Sequence, residues 1–401
     1  MKLLFIQGGS RVRVCSNGRY YVDGNFNNDI WKRYKNYCDE LTVILRKIDK
    51  IYLEEEVKNK LNYIDTDLLS LKLVDDIYSP KKKILNLSLR KKIEHQIKNE
   101  VSKSDKVIIR SVGNFYTNTA LKYCKKYKKD YLIEVTGFAF ESLWYHSSLG
   151  KIVAIPREIK VKKALKNAPY AVYVTDEELQ KRYPSRGKTL GCSDVELFEQ
   201  RKNTLSIKQK KINEDLQNNK IVLGTAAFLD VSFKGQKDVI KAINYLKKEG
   251  IDNIYYEMIG AGNGEKLKKI IDKYNLNDRI KIIGALKHDE VAKWLMNIDI
   301  YIQPSYAEGL CRSILEAMGM GCPIICSNVG GNKELISKEY IYKKGNYKEL
   351  SVKIKKLITS KNLLNQSKQN YMNSNNYNKE KLSEERNRFY NKFMQISEEK
   401  I

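Results

Sequence analysis

The chain has 401 residues, 42% of them hydrophobic, which is long for one core and comfortable for two domains of about 200 residues each. Its formal net charge is +26, from 74 Lys and Arg against 48 Asp and Glu, which points to an anionic partner on some face (nucleotide phosphates, a membrane surface or nucleic acid) or equally to a solvated Lys-rich surface. No apolar run approaches the ~18 residues of a spanning helix, and seven scattered cysteines without C-x-x-C spacing argue for free thiols in a reducing cytoplasm and against a structural zinc.

The opening MKLLFIQGGS has only a short apolar stretch and reads as a first strand, not a secretion signal. It leads a series of buried-strand runs at 2–7, 41–46, 106–111, 131–135 and 171–175. Between them Leu85, Leu89, Ile93, Ile97 and Val101 repeat every four residues, one apolar stripe on a helix. The polar stretch 199–219 carries no strand signal and reads as a boundary with room for a surface helix. The alternation then restarts more regularly, with strands at 220–226, 254–260, 279–284, 298–304 and 322–327 and helices at 235–248, 264–274, 288–297 and 310–319. The tail 377–398 is polar and helical.

Such alternation predicts an α/β chain of parallel sheets covered by helices. We expect two doubly wound, Rossmann-like domains facing a cleft: an N-terminal domain over 1–198, a linker over 199–218 and a second domain over 219–376. A C-terminal helix within 377–401 is expected to pack back on the first domain. Ligands of such sheets bind beyond the C-terminal ends of strands, so the loops after strands hold the candidates.

Gly8 and Gly9 follow the first strand, where an ordinary strand–helix turn explains them equally well. DTD (65–67) mimics a metal-binding D-x-D, but it lies in a polar segment without cleft context, and no metal is assigned. KKKILNLSLRKK (81–92) joins a basic cluster to the apolar stripe; on an anionic membrane each basic residue adds about 1 kcal/mol, and a sheet-packed helix with solvated lysines explains it equally. Arg110 ends another strand. The aromatic-rich EVTGFAFESLWYHSSLGK (134–151) follows a strand and offers Glu134, Gly137 and His146, of which His146 suits proton transfer and is equally a surface or packing histidine. Lys234 stands in VSFKGQKDVIKAI before a helix. Gly260, Gly262 and Gly264 in MIGAGNGEKL miss the G-x-G-x-x-G spacing, and a plain tight turn accounts for them as well.

PSYAEGLCRSILEAMGMGCPII (304–325) is richer. A strand, a turn and a helix put Glu308 and Gly309 at the turn. Gly309 permits close backbone approach, and the free N–H groups of Leu310 and Cys311 make an anion site whose dipole contributes about 0.3–2 kcal/mol. Glu316 lies two turns inside the helix.

These residues resemble the retaining glycosyltransferases of family four, which have the GT-B fold. Pro304, Ser305, Glu308, Gly309, Glu316, Ala317, Met318, Gly321 and Pro323 stand in register with that family's E-x7-E frame, and Gly330, Gly331 and Glu334 continue it. The likeness covers residues 220–340. It implies that Glu316 bonds the ribose of a sugar nucleotide and Glu308 the hydroxyls of the donor sugar. The N–H groups from Gly309 to Cys311 would hold the diphosphate, with Lys234 on the phosphates. The Gly260 loop would seat the base, and Gly8 and Gly9 would approach diphosphate and acceptor from the other domain, where Glu134, Gly137 and Arg110 would line the acceptor side and His146 would take the proton of the incoming hydroxyl or touch the donor sugar.

Segment 223–230, LGTAAFLD, lacks the arginine that the family places there, so either Thr225 with backbone groups or a cation from the N-terminal domain takes its place. The implied activity is sugar transfer from a nucleotide-diphosphate sugar, a UDP-sugar ahead of a GDP-sugar, without a cofactor. The acceptor would be a glycan or polyprenyl-linked lipid of bacterial surface polysaccharide synthesis, met at the cytoplasmic face of the membrane. Two other readings stay open: a nucleotide-sugar epimerase of the same fold, which consumes donor without an acceptor, and a basic nucleic-acid-binding protein, whose binding is steeply salt-dependent. No nucleic-acid motif supports the latter.

Overall fold

A computed structural model describes residues 1–24, 26–145, 148–359 and 362–395. The first sheet contains β1 (Lys2–Cys15), β2 (Tyr20–Val22), β3 (Glu40–Tyr52), β4 (Asn62–Tyr63), β5 (Ser70–Asp75), β6 (Lys106–Arg110), β7 (Asp130–Val135), β8 (Tyr170–Tyr173) and β9 (Lys188–Gly191). The strands run parallel in the order β5-β3-β1-β6-β7-β8-β9, while β2 and β4 add an antiparallel ribbon to the far end of β1. The second sheet contains β10 (Ile221–Ala226), β11 (Ile254–Ile259), β12 (Ile280–Gly284), β13 (Ile300–Gln303), β14 (Ile324–Ser327) and β15 (Ile341–Tyr342). It is parallel in the order β12-β11-β10-β13-β14-β15. Each order reverses once, between β1 and β6 and between β10 and β13, and a crevice opens at such a point.

Both faces of each sheet are covered, which is why the strands read as unbroken apolar runs. Along β1, Leu3 and Phe5 enter one core and Leu4 and Ile6 another. Along β10, Ile221 and Leu223 join the core under the second domain's helices, while Val222 faces a core shared with the first sheet. Each such fully buried side chain contributes roughly 1.5–3 kcal/mol.

The structure departs from the sequence reading at β1. The strand does not end before Gly8 and Gly9 but bulges between Ile6 and Arg11 and runs on to Cys15. The Gln7 side chain stitches the bulge, its Oε1 accepting from Gly9 N at 2.6 Å and Ser10 N at 3.0 Å. The polar stretch after 199 holds a helix, Thr204–Gln217, docked by the buried Lys208, whose ammonium donates to Leu295 O at 2.6 Å and to Ile298 O.

The last helix, Lys379–Gln395, lies against the first sheet: Phe393 packs on Tyr170 and Arg386 donates to Ser193 O. Among the described residues no helix is long and apolar enough to cross a membrane.

Candidate active site in the cleft between the sheets

The turn after β13 faces the loop after β7. Three glycines make this approach possible. A Cβ on Gly309 would fall 2.3 Å from Thr136 O, one on Gly330 2.1 Å from Glu308 O, and one on Gly235 2.0 Å from Pro304 O. Gly235, at φ 79°, therefore lets the short 3-10 turn Ser232–Lys234 lie on Pro304, where Tyr306 N donates to Phe233 O at 2.7 Å. That contact delivers Lys234 to Glu308.

Lys234 Nζ donates to Glu308 Oε1 at 2.8 Å, and Gln303 Nε2 approaches the same oxygen at 3.2 Å. Burial alone would lower the Lys234 pKa, but the Glu308 carboxylate reverses this and raises it. The pair lines a cavity of about 320 Å³ with Gly309, Thr136, Gly137, Phe138, Glu141 and Arg157. A second lobe of about 380 Å³ shares Phe138, Glu141 and Glu308 and adds Lys181, Arg182, Lys333 and Lys344, so this part of the cleft is basic.

The helix after Glu308 spans Arg312–Gly319, with Cys311 at its N-cap and no side-chain cap hydrogen bond. Leading N–H groups without a capping side chain are an anion site in waiting. Leu310 packs against the cores of both sheets, and burial lifts the Cys311 thiol far above the usual range. Glu316 does not line the cavity with Glu308. It is half-buried about one turn into the helix; burial raises its pKa, with Arg312 and His288 acting the other way. The two glutamates thus occupy separate environments.

Several other expected site residues are engaged by the protein itself. Thr225 is fully buried, its hydroxyl donating to Ile302 O and accepting from Tyr256, both at 2.8 Å, so it presents nothing to a phosphate. Glu134 borders the cavity, but neither it nor Arg110 is a free group. The Glu134 carboxylate accepts from Arg110 at 2.6 Å, from Tyr34 at 2.7 Å and from Tyr390 of the last helix, and Arg110 also donates to Asp194. Burial would lift the Glu134 pKa, yet Arg110 and the two tyrosines hold it low. This cluster ties the sheet to the C-terminal helix.

Gly8 sits against Asn114, and both backbone polar groups of Gly9 are taken, N–H by Gln7 and C=O by Arg46, so neither glycine forms the expected loop. Gly260, at φ 143°, gives its Cβ space to Ala227 O at 2.0 Å and lies against the loop after β10. His146 lies outside the described residues.

Gln303, Arg157, Glu141 and Lys344 were not expected in the site. Only Gln303 carried a sequence signal, its place just before Pro304 at a strand end. Glu334 has a different use: its carboxylate accepts from the backbone N–H groups of Asp176, Glu177 and Glu178, at 2.7, 3.2 and 2.6 Å, clasping the loop after β8.

Two doubly wound sheets meeting at such a cleft define the GT-B architecture of glycosyltransferases, and the solved structures agree. HepE of Anabaena, crystallised with UDP, superposes with a TM-score of 0.63 at 16% identity, covering 98% of this chain and 100% of HepE, a likeness of fold alone. Residues 206–379 match the family described as glycosyl transferases group 1. Over 397 residues the chain is 36% identical to protein CapJ of Staphylococcus aureus, covering 96% of this chain and 94% of CapJ. It is also 34% identical over 110 residues to the amylovoran biosynthesis glycosyltransferase AmsK of Erwinia amylovora, 26% of this chain and 27% of AmsK. The chain belongs to the group 1 glycosyl transferases, and it is an enzyme of sugar transfer.

Proposed function

We propose that the protein is a retaining glycosyltransferase that moves a sugar from a nucleotide-diphosphate sugar to a glycan or lipid-linked acceptor of bacterial surface polysaccharide. The observation that carries the reading is the Lys234–Glu308 pair beside the open start of helix Arg312–Gly319. As the bond from the anomeric carbon to the diphosphate breaks, positive charge grows on the sugar and negative charge on the leaving group. Lys234 and the N–H groups from Gly309 to Cys311 answer the negative charge; Glu308 orients the sugar hydroxyls and Glu316 the ribose. The acceptor hydroxyl oxygen bonds the anomeric carbon on the face the diphosphate leaves, and its proton passes to an oxygen of the departing diphosphate. Fixed donors of this kind are the largest expected contribution to rate.

The name of AmsK supports a polysaccharide product, and the UDP held by HepE supports a uridine donor. Docking on the cytoplasmic face of an anionic membrane is part of the reading. Leu149, Ile152, Val153, Ile155 and Ile159 of helix Ser148–Lys166 are each at least half exposed, flanked by Lys151, Lys160, Lys162 and Lys163. Leu85 and Leu87 are exposed beside Lys81, Lys82 and Lys83. Apolar side chains in water next to cations are the signature of an interfacial helix.

Transfer from a radiolabelled UDP- or GDP-sugar to a membrane lipid extract tests the activity, with the anomeric configuration of the product read by NMR. Donor consumed at full rate without any acceptor would favour an epimerase instead. An inverted product would overturn retention.

A further inference from the structure

Helix Ser148–Lys166 turns its inner face to the cleft, and Arg157, Val161 and Leu165 of that face line the cavity opposite Lys234 and Glu308. The arginines around it are engaged. Arg110 is held by Glu134 and Asp194, Arg182 by Glu158 and Arg46 by Asp76, while Arg312 stands in the field of Asp194 and Glu316.

Arg157 differs from all of these. Among the described residues it has no ion pair and no hydrogen bond, and its Nε is buried without a partner. Burial pushes its pKa down, and the groups that oppose this are the Tyr78 and Tyr183 hydroxyls, with no carboxylate among them. The nearby carboxylates are turned elsewhere. Glu158 accepts from Arg182, Tyr183 and Phe140 N. Glu141, which lines the same cavity with Oε2 unpartnered, acts on Arg182 and Tyr183.

The backbone makes room for this side chain. Gly113 is at φ 118°, and a Cβ there would come 2.7 Å from Val161 Cγ2 and 3.1 Å from Arg157 Nε. Two residues earlier Ser111 is held at φ 59°, its hydroxyl bonded to that of Thr136 at 2.6 Å on the same cavity wall. Arg157 is half-buried, and a guanidinium held at a cavity wall with no partner inside the fold is open to a ligand that enters the cavity. The planar guanidinium fork matches two oxygens of a phosphate.

We propose that Arg157 is a phosphate-binding residue of the cleft, donating its uncommitted N–H groups to oxygens of a substrate phosphate held between the two sheets. The proposal rests on the sugar-transfer reading, which brings a phosphate ester into the cleft. That phosphate comes either from the donor diphosphate or from a phosphate carried by the acceptor, and the two sources are separable.

The test is calorimetric titration of the full chain and of Arg157→Gln and Arg157→Lys with UDP, inorganic pyrophosphate, and geranylgeranyl phosphate in phosphatidylcholine vesicles, together with ligand-free melting of Arg157→Met. Loss of at least tenfold in UDP or pyrophosphate affinity in Arg157→Gln, partly restored in Arg157→Lys, assigns the residue to the donor diphosphate. The same loss confined to geranylgeranyl phosphate assigns it to the acceptor. Arg157→Met is expected to melt near the parent temperature, because the half-buried guanidinium has no ion pair or hydrogen bond among the described residues to lose. Phosphate affinities equal to the parent's in Arg157→Gln, or a marked fall in the Arg157→Met melting temperature, would overturn the proposal and leave the transfer reading standing. A parent protein that binds no phosphate probe would overturn both.

Discussion

The Arg110–Glu134 pair of the first sheet and the Lys234–Glu308 pair of the second both gather where parallel strands end, and both looked like site residues in the sequence. Their surroundings separate them. Glu134 is buried and fully used, by Arg110 and two tyrosine hydroxyls, one of them from the C-terminal helix. Among the described residues Glu308 is met by Lys234 and Gln303 alone, and it borders open space shared by both sheets. A carboxylate with every oxygen answered from inside holds elements together. One left at a cavity wall beside an uncapped helix start is available to a ligand.

The contrast is broken most forcefully at the saturated pair. Glu134→Ala leaves the Arg110 charge and two hydroxyls stranded, and we expect a loss of about 3–5 kcal/mol in chemical denaturation. The kcat/KM of the protein that remains folded should be unchanged; a stable variant with lost activity would reverse the roles of the two pairs. The opposite result is expected at the cleft. Glu308→Gln and Lys234→Met should each lower kcat/KM by roughly 10²–10³, worth about 2.7–4 kcal/mol. The double variant removes both charges together and should keep its melting temperature.

A smaller effect belongs to Glu334, which caps backbone N–H groups across the two sheets; Glu334→Ala should cost about 0.5–2 kcal/mol in stability. The smallest concerns Glu316. Its folded pKa is raised, so the folded state holds its proton above the ordinary carboxylate value of 4.5, and stability falls as pH rises through that window. Glu316→Gln should therefore melt higher than the parent at pH 7, with the gain vanishing below about pH 4.5, while donor KM rises. A gain that persists unchanged in acid would contradict the burial of this carboxylate.

The sheets were legible where both faces are covered, because β6, β7, β10 and β13 are runs of Val and Ile that no other element explains. The short or half-exposed strands β2, β4, β5 and β9 carried no such signal. The continuation of β1 through SRVRVC was hidden by the glycines of its bulge, which mimic a turn. Helix Thr204–Gln217 looked like a surface element because its anchor is a lysine, and a buried ammonium satisfied by carbonyl oxygens is invisible in a hydrophobicity pattern.

In the site, Lys234 and Glu308 were legible because local motifs position each of them. Glu134 lines the cavity, but that Tyr34 and Tyr390 saturate it and that Asp194 shares Arg110 was hidden, because these partners are distant in the chain. Thr225 was misassigned because a strand-end hydroxyl reads the same whether it faces a ligand or a neighbouring carbonyl. Arg157 sits mid-helix among lysines, and only its lack of a partner in three dimensions distinguishes it.

The central claim is that the cleft at Lys234 and Glu308 binds a nucleotide sugar by its own side chains. Titration of UDP- and GDP-sugars into the parent, Glu308→Gln and Glu316→Gln measures this directly. The account predicts one-to-one saturation of the parent by at least one of them and at least tenfold weaker binding by Glu316→Gln. Equal affinity in all three proteins, or saturation by none of the sugars, would contradict it.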